Sequence, residues 1–346
     1  MKYNKGIRFS VFLLLSYLLI FNCSFNPDAD TKSASGNNKL MTIPKATKRV
    51  EKVSGKNANL VFSDAKCISK ITGVYEGNLV LNEDLSRFTP LYEDFFKKRL
   101  SRQGKIYKKE NVCVSDKYVP QGYDYMDDNN MLFTMTAGGF IFDYKKDEEI
   151  WCDDQIAKVI DLNKEISKND LYQMREFDSF LKDTGYDFVV KYIPYSKTIF
   201  INGKGKKNTE YEYKASYKGG IFDEVAINNG RLNADAVPLS GQIKSIDSGK
   251  EIGLQQGAID FEIQKKYDKV ISIQNAANIL SNAISDHKEY KVTSYGLVYL
   301  QTSDNITTKN EKGYKIRKIH FKPYWGFYIS KKLNREIVGF VDVKSG

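Results

Sequence analysis

Histidine is nearly absent from this chain. Its 346 residues include two, His287 and His320, beside 53 Lys and Arg. A His-rich metal site is excluded, and any Ser-His-Asp or Cys-His centre has to use one of the two. Neither position favours that. His287 ends the apolar side of a helical pattern, where a cation suits the helix dipole. His320 alternates with Lys318 and Lys322, the pattern of a solvated strand face. Proline is sparse at 7 and glycine ordinary at 24, which excludes collagen-like and Pro-rich linker proteins. The four cysteines form no C-x-x-C, so neither a thioredoxin-like redox site nor a cysteine zinc site is expected. Phosphate loops are missing too. The nearest approach, Ser248-Gly249-Lys250-Glu251, puts Glu where a Mg-binding hydroxyl belongs, and Gly203-Lys204-Gly205-Lys206-Lys207 reads as a basic hairpin tip. Two acidic clusters, one around Asp124, Asp127 and Asp128 and one around Glu148, Glu149, Asp153 and Asp154, lack the calcium-loop spacing. No cofactor is implied.

What is present first is positive charge, +10 overall. Its distribution argues against a nucleic-acid partner. Lys2, Lys5 and Arg8 stand without acids in residues 1–22. Residues 24–58 hold Lys32, Lys39, Lys45, Lys48, Arg49, Lys52 and Lys56 against Asp28, Asp30 and Glu51. The remainder is close to balanced, with no basic stripe in sequence, so the body is expected to stand clear of a charged surface.

The first 22 residues have the three parts of an export signal. After the basic start, residues 11–21 form an apolar run interrupted by Ser16 and Tyr17, too short for a bilayer-spanning helix of about 20 apolar residues. The run ends in Ile20-Phe21-Asn22-Cys23-Ser24. This segment resembles the relaxed lipobox of spirochaetal lipoproteins of Borrelia type. These tolerate bulk before the cysteine and often carry Asn there, whereas strict bacterial lipoboxes have small residues at the places of Phe21 and Asn22. The resemblance covers the leader alone. It implies a Cys23 thiol carrying diacylglycerol, hence a bilayer partner, outer-membrane anchoring and display at the cell surface. Several acyl chains anchor stably where one is marginal.

Residues 23–58 read as a lipidated, flexible tether rich in Ser, Asn, Lys and Gly, with its lysines open to trypsin. Three cysteines remain, Cys67, Cys113 and Cys152. Export permits a disulfide among them, in any of three pairings with one thiol left over; the alternative is three buried reduced side chains.

The body reads as α+β: antiparallel sheets with a few amphipathic helices. Strands are expected at 60–63 and 71–81, and a helix begins at Thr89-Pro90. A hairpin flanks Ala137-Gly138-Gly139. Helical signals start near 153 and are clearest over 167–184, where Ser167 and Asp170 resemble a capping box and Leu171, Met174, Phe177 and Leu181 form an apolar face with Phe180 beside it. Strands at 188–192 and 198–201 are separated by a turn at Pro194. Residues 229–257, rich in Gly, Asn, Ser and Asp, mark a long loop or boundary between an N-terminal subdomain (59–228) and a C-terminal one (258–346). The latter is a helix over 272–287 followed by four antiparallel strands, at 291–301, 314–322, 325–330 and 336–343. In order of elements it is similar to cystatin-like or NTF2-like cups, an analogy that carries no function.

Tyr211, Tyr213 and Tyr217 alternate with Glu212, Lys214 and Ser216, so the three rings share a strand face. That face is either a protein-contact surface, which Tyr suits, or packing under a helix. The function expected is a non-enzymatic surface lipoprotein, a binding module for a host or envelope protein. The alternatives are a periplasm-facing lipoprotein that aids envelope assembly or holds a small ligand or lipid, and a hydrolase without a readable motif.

Overall fold

The computed structural model describes residues 39–82 (except 49, 51 and 69), 107–111, 122–126, 132–136, 139–143, 155–161, 166–183 and 188–344. Within the last stretch 202–204, 206, 229–230, 234–235, 238, 247–248, 255–259, 310, 312, 314 and 331–334 are excepted. The expected Thr89 helix, Cys23, Cys113 and Cys152 lie outside these residues, as do 127–130 and 144–154 with most of the two acidic clusters.

The chain is mostly β-sheet with few helices. It opens with β1 (Met41–Thr42), α1 (Ile43–Ala46), β2 (Lys52–Ser54), β3 (Asn59–Val61), β4 (Lys66–Cys67) and β5 (Val74–Asn82). Then come β6 (Tyr107–Asn111), β7 (Gly122–Met126), β8 (Leu132–Thr136), β9 (Gly139–Asp143), β10 (Gln155–Asp161) and α2 (Lys168–Asp183). The middle holds β11 (Lys191–Ile201), β12 (Lys207–Tyr217), β13 (Gly220–Asn228), β14 (Arg231–Asn233), β15 (Ser240–Ile246), β16 (Gly249–Leu254), β17 (Asp260–Tyr267) and β18 (Lys269–Val270). The chain closes with α3 (Ile273–Ala283), β19 (Glu289–Lys291), β20 (Ser294–Lys309), β21 (Lys315–Ser330) and β22 (Arg335–Asp342).

One antiparallel run passes through β10, β11, β12, β15, β16, β9, β8, β7 and β6. The hairpin expected around Gly138 is the β8–β9 pair, and the helical signal near 153 is instead strand β10, whose Ile156, Val159 and Ile160 favour extended backbone. The end of β12 turns into β13 through Lys218 and Gly219, both at positive φ (51° and 89°). That is the turn whose twist matches paired strands. A Cβ on Gly219 would sit 2.1 Å from Lys70 O, so the position needs glycine twice over. β13 then pairs in parallel with β20, so the sheet is mixed. β20, β21 and β22 form a meander, and β21 also pairs with β5, which pairs with β17.

Four sequence expectations change here. The C-terminal sheet has three long strands rather than four, because β21 runs straight through Pro323. Likewise β11 is one strand through Pro194, with a bulge between Pro194 and Ser196. Residues 229–257 are no long loop: they contain β14, β15 and β16, and β5, from before this segment, is hydrogen-bonded to β17 and β21 after it. Finally, the described residues of 39–58 are folded. Ala46, Val50, Val53 and Ala58 are buried. Their apolar residues are too few to show a period, yet Ala46, Val50 and Val53 seat in the main core. The segment also finishes α3: Ala58 N–H donates to Ser281 O at 3.0 Å and the Asn57 amide to Asn282 O at 2.8 Å, satisfying carbonyls a helix end leaves open.

The main core lies on one side of the sheet, under α2 and α3. α3 behaves as its pattern predicts. Ser272 caps it, accepting from Asn275 N–H at 3.1 Å, and Ile273, Ala276, Ala277 and Leu280 face inward. It ends at Ala283, so His287 lies beyond it, at φ 54°. A smaller cluster of Ile68, Tyr195, Ile221, Val225, Val298, Leu300 and Tyr328 forms a second core.

Candidate functional site

The tyrosine face is an internal one. Tyr211 and Tyr213 are each 1% exposed, because α2 lies across them. Phe177 stacks on Tyr213 with ring centres 4.0 Å apart and planes 14° apart. Tyr217, half-buried, meets Tyr75 and Phe261 at 5.5 and 4.8 Å. None of the three forms an open contact surface. The helix is rotated from the expected face: Asp170, Gln173, Phe177 and Phe180 are buried, while Leu171 is exposed. The rotation follows from Asp170. Its Oδ1 accepts from Lys197 Nζ and from Tyr211 Oη, both at 2.7 Å. Its Oδ2 accepts from the Ser167 N–H at 2.7 Å, while Asp170 N–H donates to Ser167 Oγ at 3.2 Å. The expected capping box is thus present, and it points a carboxylate into the sheet. Burial alone would raise the Asp170 carboxyl; the donors Lys197, Ser167 and Tyr211 outweigh it and hold it well below the carboxylate range. Burial, together with the Asp170 charge, pushes the Tyr211 hydroxyl up.

The positions between those tyrosines carry a second buried network. Lys214 is 5% exposed. Its Nζ lies 3.4 Å from Glu212, 3.7 Å from Glu224 and 4.8 Å from the centre of the Tyr195 ring. Asp223 accepts from Tyr328 Oη at 2.8 Å, and Glu212 from Ser196 Oγ at 2.7 Å. Burial lowers the Lys214 ammonium, but Glu224, Glu212 and Asp223 overcome it and hold it well above its ordinary value. The only hint in sequence is the Asp223-Glu224 pair just past the Lys218-Gly219 turn, which brings acids beside Lys214.

The third network contains the one buried histidine among the described residues. His320, expected on a solvated face, is 8% exposed. Its Nδ1 is 3.0 Å from Asn78 Oδ1 and its Nε2 is 3.4 Å from Glu76 Oε1. Glu76 also accepts from Tyr267 Oη and lies 3.4 Å from Lys344 Nζ. Burial works to raise Glu76; Tyr267, Lys344 and Lys322 override it and keep it below its ordinary value. Tyr267 is pushed up to about 12 by burial and by Glu76. Lys318 pairs outward with Glu262 at 2.5 Å. Residues 76, 267, 320 and 344 have no sequence proximity; pairing of β5 with β17 and β21 assembles them. A histidine beside a carboxylate is the arrangement closest to catalytic chemistry in the described residues. Both of its ring nitrogens, however, are held by protein oxygens, whereas a general base must present one to substrate.

Cys67 lies on β4, half-buried against the main core. Among the described residues no group of three or more His, Cys, Asp or Glu could hold a metal ion, and no helix is long and apolar enough to cross a membrane. A cavity of about 350 Å³ opens beside α2, with Leu181, Phe188, Val190 and Tyr192 as its apolar wall and Asp178, Lys182 and Lys191 at its edge.

No family model matches the chain, and no curated protein matches it. Among solved structures it is similar to an uncharacterized protein from Eubacterium rectale ATCC 33656, with TM-score 0.47 and 10% identity over 88% of this chain and 94% of that one.

Proposed function

We propose that the chain is a lipid-anchored bacterial surface protein whose β-rich body is a non-enzymatic binding module for a host or envelope protein. The observation that carries this reading is the position of Cys23. It stands two residues past the apolar run, and Met41, the first residue of β1, follows eighteen residues later. A cysteine so placed is reachable by the acylating machinery without disturbing any described strand. A binding role is supported by the three networks around Asp170, Lys214 and Glu76. Each pairs its buried charge within the fold, as the groups that support a functional surface do. Metabolic labelling with a palmitate analogue tests the anchor. Wild-type protein should take up label and Cys23→Ala should take up none while remaining an uncleaved precursor. Equal label in both would remove the reading.

A further inference from the structure

The fold gathers lysines from three separate stretches at one end of the body. β1 pairs with β18, setting Thr42 opposite Lys269, and α1 follows with Lys45 in its last turn. β18 continues β17 after the single residue Asp268. The C-terminus closes the same end: Ile271 N–H donates to Val343 O at 2.9 Å. Lys344 and Lys265 each place Nζ near the Tyr267 ring, 4.9 and 5.0 Å from its centre. Lys39, Lys45, Lys48, Lys265, Lys269 and Lys344 are all exposed there. Among the described residues, the acids paired to lysines on these stretches are Asp268, with Lys266, Glu76, with Lys344, and Glu262, which precedes Ile263, with Lys318. Two large apolar side chains on the same stretches, Leu40 and Ile263, are 45% and 49% exposed.

Residues 59–346 are close to balanced, but residues 39–58 add most of the positive charge from Lys39 onward. Residues 1–38 hold Lys2, Lys5, Arg8 and Lys32 against Asp28 and Asp30, so eight of the ten net positive charges belong to the chain from Lys39 onward. Lysines interspersed with exposed aliphatic side chains suit a lipid–water interface. This end is also where the chain arrives from Cys23, over a stretch that reaches at most about 65 Å when fully extended. We propose that this lysine-rich end is a docking surface for an anionic bilayer, with the ammonium groups on headgroup phosphates and Leu40 and Ile263 at the acyl boundary. The proposal rests on Cys23 as the anchor for its proximity to the membrane, and adds to that reading which face of the body looks down.

The test is residue-resolved labelling of lysines by an amine-reactive reagent, with the full-length acylated protein reconstituted into neutral phosphatidylcholine vesicles or vesicles containing phosphatidylglycerol. Lys45, Lys265 and Lys269 should label about fivefold more slowly in the anionic vesicles, with the difference removed at high salt. Lys168 and Lys309 should label alike in both. Replacing Lys265→Gln together with Lys269→Gln should restore fast labelling at Lys45. Equal rates at Lys45, Lys265 and Lys269 in the two vesicles, or equal slowing at Lys168 and Lys309, overturns the proposal. Failure of the anchor reads differently: the protein takes no palmitate label and does not float with neutral vesicles. Adding anionic vesicles to that unanchored protein still decides, since protection confined to the three lysines supports the surface and its absence overturns it.

Discussion

α2 and α3 sit on the same core by the same device and are fastened by opposite means. Each lays one large apolar side chain over a strand glycine beside an aromatic ring. Phe177 covers Gly241, whose partner across the ladder is Tyr213; Leu280 covers Gly339, whose partner is Phe327. A Cβ on either glycine would come within 2.2 Å of Phe177 or 2.5 Å of Leu280. The fastenings differ. α3 has a neutral serine cap and a C-terminal end closed by residues 56–58. α2 has the buried Asp170 carboxylate, held by Lys197, Tyr211 and Ser167. Packing against glycine is indifferent to pH, whereas a carboxylate anchor is not. The two helices should therefore separate under acid while responding alike to loss of packing.

The largest effect expected is at Phe177. Phe177→Ala removes the stacking partner of Tyr213 and leaves a cavity, which costs about 3–5 kcal/mol in urea unfolding. Leu280→Ala should fall in the neighbouring range of about 2–5 kcal/mol, and a tenfold disparity between the helices would break the shared-device account. Next comes Asp170→Asn, expected to cost about 1.5–3 kcal/mol at neutral pH through lost charge-assisted hydrogen bonds. The folded carboxyl lies below its ordinary value of 3.8. Its stabilisation is thus complete above the ordinary carboxylate range and is lost as pH falls below it. The gap between wild type and Asp170→Asn should narrow at pH 3, whereas a Leu280→Ala gap should not. Gly241→Ala and Gly339→Ala should each cost about 1–3 kcal/mol by overpacking, at similar size. Smallest is Ser272→Ala, about 1 kcal/mol from the lost cap, with no acid dependence of its own.

How much of this was legible depends on whether the signal is local. α3, its cap and its inward face follow from spacing alone. The α2 capping box was legible as well, but the helix turned because Asp170, a capping residue, is also pulled into the sheet by Lys197 and Tyr211. Both prolines misled. Pro194 lies past the last residue of β11 that β10 reaches, Ser196, and beside a bulge. Pro323 falls between Phe321, the last partner of β5, and Tyr324, the first partner of β22. In each case the missing N–H sits where one edge of the strand has no partner, which a strand tolerates. A one-dimensional pattern cannot show where neighbouring strands stop. The Glu76 network was invisible for the related reason that its members meet only through strand pairing, and the Lys214 network showed no trace beyond the Asp223-Glu224 pair. Residues 39–58 looked like a tether because their work is tertiary, closing α3 and filling gaps in its core.

Acylation of Cys23 and display at the cell surface are the proposals, and the described strands begin with β1 at Met41. Trypsin added to intact cells, followed by N-terminal sequencing of what is released, tests all of this at once. The expected product begins after Lys32 or Lys39, with the lipidated stub left on the membrane and Lys45, Lys48, Lys52 and Lys56 uncut. A body beginning after any of those four lysines would contradict the folded start. Full-length protein that survives on intact cells and is cut only after lysis would contradict surface display.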